Sequence, residues 1–459
     1  MAMGAERTVL TLPVNESFEL EKAVCSHGFF MMAPNLWFSS SQTLQRPLRL
    51  TDRSSVPVRI TQLSLSSQKS LQILVLGASK LYQHDQQYLL VQVARMLRIS
   101  EEDDLKVNKF HEMYPVAKET GFGRVFRSPT LFEDMVKSIL LCNCQWTRTL
   151  SMARALCELQ LELNGNSLRQ SNKDTDFSKS VNLSPVTPMQ LEHKKRRKNP
   201  NQNIIMNLMT KFSENETHLA ADESLRPIDL AKDFSKNSPT MFSSEEGRNG
   251  KLNYDQVSEE KLGDGAILDN QLLENKTLSF FLEAGNFPCP EELANLDEKI
   301  LEKRCKVGFR SKRIVKLAQS IVEGALDLGK IEVLSQQDPI HLDGLMRQLL
   351  SIYGVGPYVC NNVLMSMGIY QRIPADTETL RHLKQFHARK QCTIGTIQKD
   401  IEEIYGKHEP FQFLVYWSEL WEFYEKRFGK LSQMPHSDYQ LITAHNMKNN
   451  NIPKIRRYK

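Results

Sequence analysis

The segment LMRQLLSIYGVGPYVCNNVLMSMGIY, residues 345–370, is apolar at helical spacing, breaks at Tyr-Gly-Val-Gly-Pro, and then resumes its helical pattern. Such a run folds as two helices joined by a tight hairpin. Gly354 and Gly356 let the chain turn and let another backbone approach with no Cβ in the way. With Val355 between them, they present successive backbone N–H groups at the start of the second helix, where the positive end of the dipole suits a phosphate oxygen. Taken alone, Gly-x-Gly is better explained as an ordinary helix–helix turn with a glycine C-cap. Its sequel changes the balance. Shortly afterwards RIPADTETLRH places Asp376 directly behind an apolar helix and a proline-bearing turn.

The rest of the chain narrows the class. Its 459 residues leave room for two or three domains, with 40% hydrophobic and 25% charged residues, as in ordinary globular proteins. No apolar run approaches the roughly 18 residues that span a bilayer, so no membrane partner is expected. The N-terminal stretch lacks a basic flank before an apolar core, and a secretory signal is not expected. Eight cysteines lie scattered without a disulfide rhythm, which implies reduced thiols in an intracellular compartment. The net charge of +5 is compatible with nucleic-acid binding but too small to argue it.

Residues 1–110 read as a β-rich antiparallel domain. RTVLTL, GFFMMAP, LWFSS, LRLT, VPVRITQLSL and LQILVLGA are apolar or β-branched runs separated by Pro, Ser, Asn and Gly. Leu89, Val93 and Leu97 then fall on one helical face. Residues 111–164 read as helical, with Thr130 and Glu133 as a capping box and Leu131, Met135, Ile139 and Leu140 as the apolar stripe. Between 165 and 275 periodicity disappears and polar residues dominate, so a disordered insertion is expected. His193–Lys198, HKKRRK, within it reads as a nuclear localisation signal or a non-specific DNA contact, and the nucleus is the expected location. Helices resume over 276–432, with Leu293, Leu296 and Ile300 on one face and Ile314, Leu317, Ala318, Ile321 and Val322 on another. Residues 433–459 form a tail.

The hairpin Leu350, Gly354, Val355, Gly356 and the IPADT turn with Asp376 together resemble the helix-hairpin-helix DNA glycosylase superfamily. FELEKAVCSHGFF and PLRLTD resemble the antiparallel domain of its 8-oxoguanine and inducible 3-methyladenine branches. The implied fold is α+β, an N-terminal antiparallel domain followed by a mostly helical, two-lobed glycosylase fold interrupted by the insertion. The resemblance further implies that Asn143, Cys144 and Gln145 lie near the estranged base and the DNA gap, and that Gly308, Phe309, Arg310 and Lys312 form a characteristic loop. Arg310, Lys312 and Arg313 could touch phosphates or serve as solvated helix flanks. The implied partner is double-stranded DNA containing a damaged base, bound by a monomer.

Two departures narrow the expected activity. Bifunctional members carry a lysine two positions after the second hairpin glycine, which attacks the sugar as an amine. Tyr358 occupies that position, cannot form a Schiff base, and suits stacking on an electron-poor or cationic base. It could also be a core aromatic at a helix start. Only Cys392 follows Asp376, so the four-cysteine Fe–S cluster of other branches is not expected, and no cofactor or metal is called for. Asp376 is expected to stabilise the oxocarbenium-like sugar and to orient or deprotonate water, a role compatible with a helix N-cap. Cys142 and Cys157 read as small buried hydrophobes, and His382 and His387 as structural. The expected activity is therefore monofunctional base excision, probed against two rivals: an oxidised-purine glycosylase without lyase activity, and a non-catalytic DNA reader.

Overall fold

The computed structural model describes residues 8–65, 68–77, 80–171, 285–335, 342–443 and 446–447. These residues belong to one compact unit. Most of the expected insertion, with His193–Lys198 and the nuclear signal read there, lies outside the described residues.

Five strands, β1 (Thr8–Pro13), β2 (Leu36–Phe38), β3 (Thr43–Arg49), β4 (Ser55–Leu65) and β5 (Gln68–Val75), form one antiparallel sheet in the order β1-β5-β4-β3-β2. Its register places Ile60 opposite Ile73 on one side and Leu44 on the other. All three are fully buried, as period-two alternation requires of the covered face. GFFMMAP, expected as a strand, is not one. Gly28–Met31 is a 3-10 helix, and Phe29, Phe30, Met31 and Met32 are all buried. An apolar run with no alternation signals burial on every side rather than a pleated surface.

The helices follow in sequence. Short α1 (Leu20–Val24) precedes the 3-10 turn, and α2 (Gln83–Leu97), α3 (Glu101–Met113) and α4 (Pro115–Thr120) follow the sheet. Leu89, Val93 and Leu97 are buried as expected. Next come α5 (Leu131–Leu141) and α6 (Trp146–Ser171), the latter continuing past residue 165, where the insertion was expected to begin. In α5 the expected stripe is buried, but the capping box is only half formed. Thr130 Oγ1 accepts from Glu133 N–H at 3.2 Å, while the Glu133 carboxylate goes to Arg46 of β3 at 2.9 Å and to Lys137 at 2.8 Å. All three charges are essentially buried, and each finds its opposite, as burial demands. This triad bonds sheet to helix.

Beyond the insertion, α7 (Pro290–Ala294) and α8 (Glu298–Cys305) replace the single helix expected there. Asp297 accepts from the N–H groups of Lys299 and Ile300 and starts α8 anew, which turns Ile300 outward to 56% exposure. The remaining helices are α9 (Arg310–Val322), α10 (Leu328–Ser335), α11 (Leu342–Leu350), α12 (Pro357–Met367), α13 (Thr377–Gln385), α14 (Ile397–Tyr405) and α15 (Gln412–Phe428). In α9, Ile314, Leu317 and Ala318 are buried, whereas Val322 is exposed at its end. The expected tail is partly folded: 3-10 turns Leu431–Gln433 and His436–Leu441 follow α15, and Tyr439 is buried. The architecture is α+β, with an N-terminal antiparallel sheet and a helical remainder joined by a continuous apolar core.

Candidate active site

Asp376 is the N-cap of α13. Its Oδ1 accepts from Glu378 N–H and Thr379 N–H, both at 2.9 Å, and from Thr379 Oγ1 at 3.2 Å. The Thr379 hydroxyl also lies 3.0 Å from Tyr416 OH of α15. The cap thus uses one carboxylate oxygen, while the side chain lines a cavity of about 460 Å³. The two roles considered for this residue, cap and site, are geometrically compatible. Burial pushes its carboxyl up, more than the two backbone N–H bonds draw it down.

Tyr358, in the first turn of α12, lines the same cavity. Burial, followed by the nearby Asp376 charge, raises its phenol well above the ordinary range, so it stays a neutral ring. Below it Asn362 is buried, its Nδ2 donating to Tyr358 O at 2.8 Å. Cys144 and Gln145 reach the rim from the α5–α6 loop. Asn143, at the loop's tip, is exposed in the left-handed region with φ 46°, a conformation that asparagine tolerates. Gln145, Tyr358 and Asp376 are therefore brought to one cavity by the α5–α6 loop, α12 and α13, whereas Asn143 does not line it.

Arg310, considered for phosphate contact, is spent elsewhere. Its guanidinium is buried and donates to Ile139 O at 3.2 Å, to Val307 O at 3.3 Å and to Cys142 O. It therefore satisfies carbonyls at the end of α5 and anchors the 142–145 loop, an arrangement that leaves its charge facing protein rather than solvent. Lys312 is exposed, with its ammonium 5.7 Å from the Tyr353 ring centre. Tyr353 is itself half exposed, as is Phe309, whose ring faces the Arg310 and Arg313 guanidinium groups.

The hairpin glycines differ in what they do. Gly354 has φ +83°, and a Cβ there would stand 2.5 Å from Arg313 Cγ, so both backbone and packing demand glycine. Gly356 is the extended N-cap of α12, and a Cβ there would meet nothing within 4 Å. It also supplies no side chain to cap the helix, and Pro357 follows with no N–H. The first turn of α12 thus opens onto solvent with Val355 buried beneath it.

Several cavity residues carried no site signal in the sequence. α15 contributes Tyr416, Trp417, Trp421 and Tyr424 from its inward face, and Trp146 comes from α6. The aromatic richness of FQFLVYWSELWEFY was visible, but core packing explained it equally well. His27 arrives from the loop before the 3-10 helix, packed 4.7 Å from Trp417, with Nδ1 accepting from Phe29 N–H at 3.4 Å. Burial, together with the Arg98 and Lys137 charges, brings this imidazole down to about 3, so it is neutral. Gly28 beside it has the Trp146 ring where a Cβ would point, at 3.2 Å. Glu378 lines the rim, held by Arg381 at 2.6 Å and by Tyr424 OH at 3.0 Å.

Chemically, the cavity combines aromatic walls, two carboxylates and one neutral imidazole. Among the described residues, no lysine or arginine lines it. Such a site accommodates a flat, electron-poor or cationic ring and holds a carboxylate against whatever is attached to it.

No protein-family model matches the chain, and no curated protein is significantly similar to it. Solved structures similar to it include a 3-methyladenine DNA-glycosylase from Archaeoglobus fulgidus, with TM-score 0.48 and 12% identity over 91% of this chain and 98% of that one. The apo 8-oxoguanine glycosylase/lyase of Clostridium acetobutylicum gives TM-score 0.45 and 13% identity over 90% and 98% of the two chains. The same enzyme with double-stranded DNA containing cytosine opposite 8-oxoG gives 0.43 and 14% over 88% and 93%.

Proposed function

We propose that this protein is a monofunctional DNA glycosylase of the helix-hairpin-helix class, acting as a monomer on an alkylated purine. The observation that carries the proposal is the Asp376 carboxylate, held by its cap at the wall of an aromatic cavity that Tyr358, two residues after the glycine hairpin, also lines. A base can enter such a cavity only after its nucleotide has left the stack, at a cost of a few kcal/mol, least for a damaged pair. The hairpin would hold the flanking phosphate with the N–H groups of α12 while Cys144 and Gln145 approach the gap.

Once the base is seated, the C–N glycosidic bond lengthens and its electron pair leaves with the base. Positive charge then builds on the sugar, where the Asp376 carboxylate stabilises it. The same carboxylate orients the attacking water and takes its proton. The absence of any lysine among the described cavity residues supports hydrolysis over amine attack. Aromatic faces and acidic groups without a lining cation favour a positively charged base, the usual consequence of purine alkylation. A nuclear destination, proposed from His193–Lys198, accords with a DNA substrate.

Duplexes carrying single methylated or oxidised purines test the assignment. Release of methylated purine, leaving an unbroken abasic strand that borohydride does not trap, is the expected result. Preferential release of the oxidised purine would move the protein to the rival substrate class. Trapping by borohydride would require a lysine outside the described cavity, and binding without release from any duplex would indicate a reader.

A further inference from the structure

α13 begins at Asp376 and ends near two histidines whose ring nitrogens converge on one carboxylate oxygen of α15. His382 Nε2 lies 3.1 Å from Glu419 Oε2, and His387 Nε2 lies 2.9 Å from the same atom. Tyr405 OH of α14 donates to that oxygen at 2.7 Å and stands 2.8 Å from His387 Nε2 and 3.2 Å from His382 Nε2. The two nitrogens and the carboxylate oxygen lie within 4.8 Å of one another. We propose that His382, His387 and Glu419 form a binding site for a divalent zinc-class ion. The site sits behind the cavity and ties the end of α13 to α15.

Three observations support it. First, the donor set of two imidazoles and one carboxylate is that of a three-ligand zinc site with one open position. Zinc bonds of about 2.0–2.1 Å in a tetrahedron separate the ligand atoms by about 3.3 Å, so the two imidazole–carboxylate spacings need to open by only a few tenths. Second, the open side is reachable. Glu419 and His387 are 13% and 20% exposed and line a groove of about 300 Å³ with Tyr405, Arg389 and Glu403, from which water can complete the coordination. Third, the two histidines stand at the C-terminal end of α13, where His387 N–H donates to Leu383 O, and the negative end of the helix dipole favours a cation.

Binding requires each imidazole to offer the Nε2 lone pair. Its single proton then resides on Nδ1, the carboxylate exchanges two imidazole donors for the ion, and Tyr405 keeps its bond to Glu419 as an outer partner. The competing account is a purely hydrogen-bonded cluster, which the same distances also satisfy. The two differ in what metal does. The inference concerns the rear of α13 and does not depend on the glycosylase assignment.

Full-length protein, stripped with chelator and dialysed, is titrated with Co(II) and separately with Zn(II). The expected result is one equivalent bound, a visible d–d band from tetrahedral cobalt, and a rise in melting temperature with zinc. His387→Gln should weaken binding on the order of 100-fold or more, and Tyr405→Phe about 10-fold, as loss of an outer partner does. Far-ultraviolet circular dichroism of each variant shows whether it remains folded. Failure of wild-type protein to hold stoichiometric metal, or binding unchanged in folded His387→Gln and Glu419→Gln, would overturn the site.

Discussion

Two glycines two positions apart illustrate how much a single residue can carry. Gly354→Ala forces a side chain into left-handed backbone and against Arg313, and should cost about 1–3 kcal/mol in denaturant unfolding. Gly356→Ala meets no neighbour and should leave stability within about 0.5 kcal/mol, while reducing DNA affinity because the methyl group stands where a phosphate would approach. Unchanged DNA affinity of folded Gly356→Ala would mean the hairpin is only a turn. At Tyr358 one letter separates two chemistries. A phenol that burial keeps neutral can stack on a base but cannot form an imine.

Arg310 and Lys312, two residues apart in the start of α9, separate element from surface. Arg310→Ala removes the side-chain donor to the carbonyls of Ile139, Val307 and Cys142, of which Ile139 and Val307 keep a backbone N–H, and should cost about 2–3 kcal/mol, loosening the 142–145 loop with it. Lys312→Ala should leave stability unchanged and lower DNA affinity chiefly at low salt, as removal of one phosphate contact does. Denaturation and salt-dependent binding of both variants check this. Helices with a clear 3.6-residue stripe, such as α2, α5 and α9, were legible because burial alone dictates their pattern. Gly28–Met31 was misjudged because an apolar run is equally compatible with any fully buried conformation. The break before α8 depends on Asp297 capping, a local choice that the stripe Leu293, Leu296, Ile300 conceals. Asp376 and Tyr358 could be singled out because each stands beside a glycine- or proline-marked turn, and both line the cavity. His27 and the α15 aromatics were not, because only the folded chain brings residues so distant in sequence to one cavity.

Across the whole molecule, the buried charges make stability depend on pH. Burial alone would raise Glu133, but Arg46 and Lys137 outweigh it and hold the carboxylate down to about 2. Its contribution is present above the ordinary 4.5 and is lost as pH falls toward 2. His27, neutral in the folded chain to about 3, contributes fully above 6.5, and its contribution declines as pH falls below that, because the unfolded imidazole takes up a proton. Asp134, raised by burial, acts in the opposite direction. The net expectation is acid lability. Unfolding free energy should fall by about 1.4 kcal/mol per pH unit for each group within its window, and His27→Gln should flatten the slope between pH 6.5 and 4.5. A flat profile for wild-type protein would contradict the burial of these charges.

Base release itself is the most direct measurement. Wild-type protein and Asp376→Asn are compared in single-turnover reactions on a duplex with one methylated purine, with DNA binding measured in parallel. Loss of release by roughly 100-fold or more, with binding kept, is the expected result, since asparagine preserves the cap but removes the charge that stabilises the sugar cation. Because burial raises the Asp376 carboxyl, wild-type release should also decline at a higher pH than an ordinary aspartate would give. Release at the wild-type rate by folded Asp376→Asn would contradict the proposed chemistry.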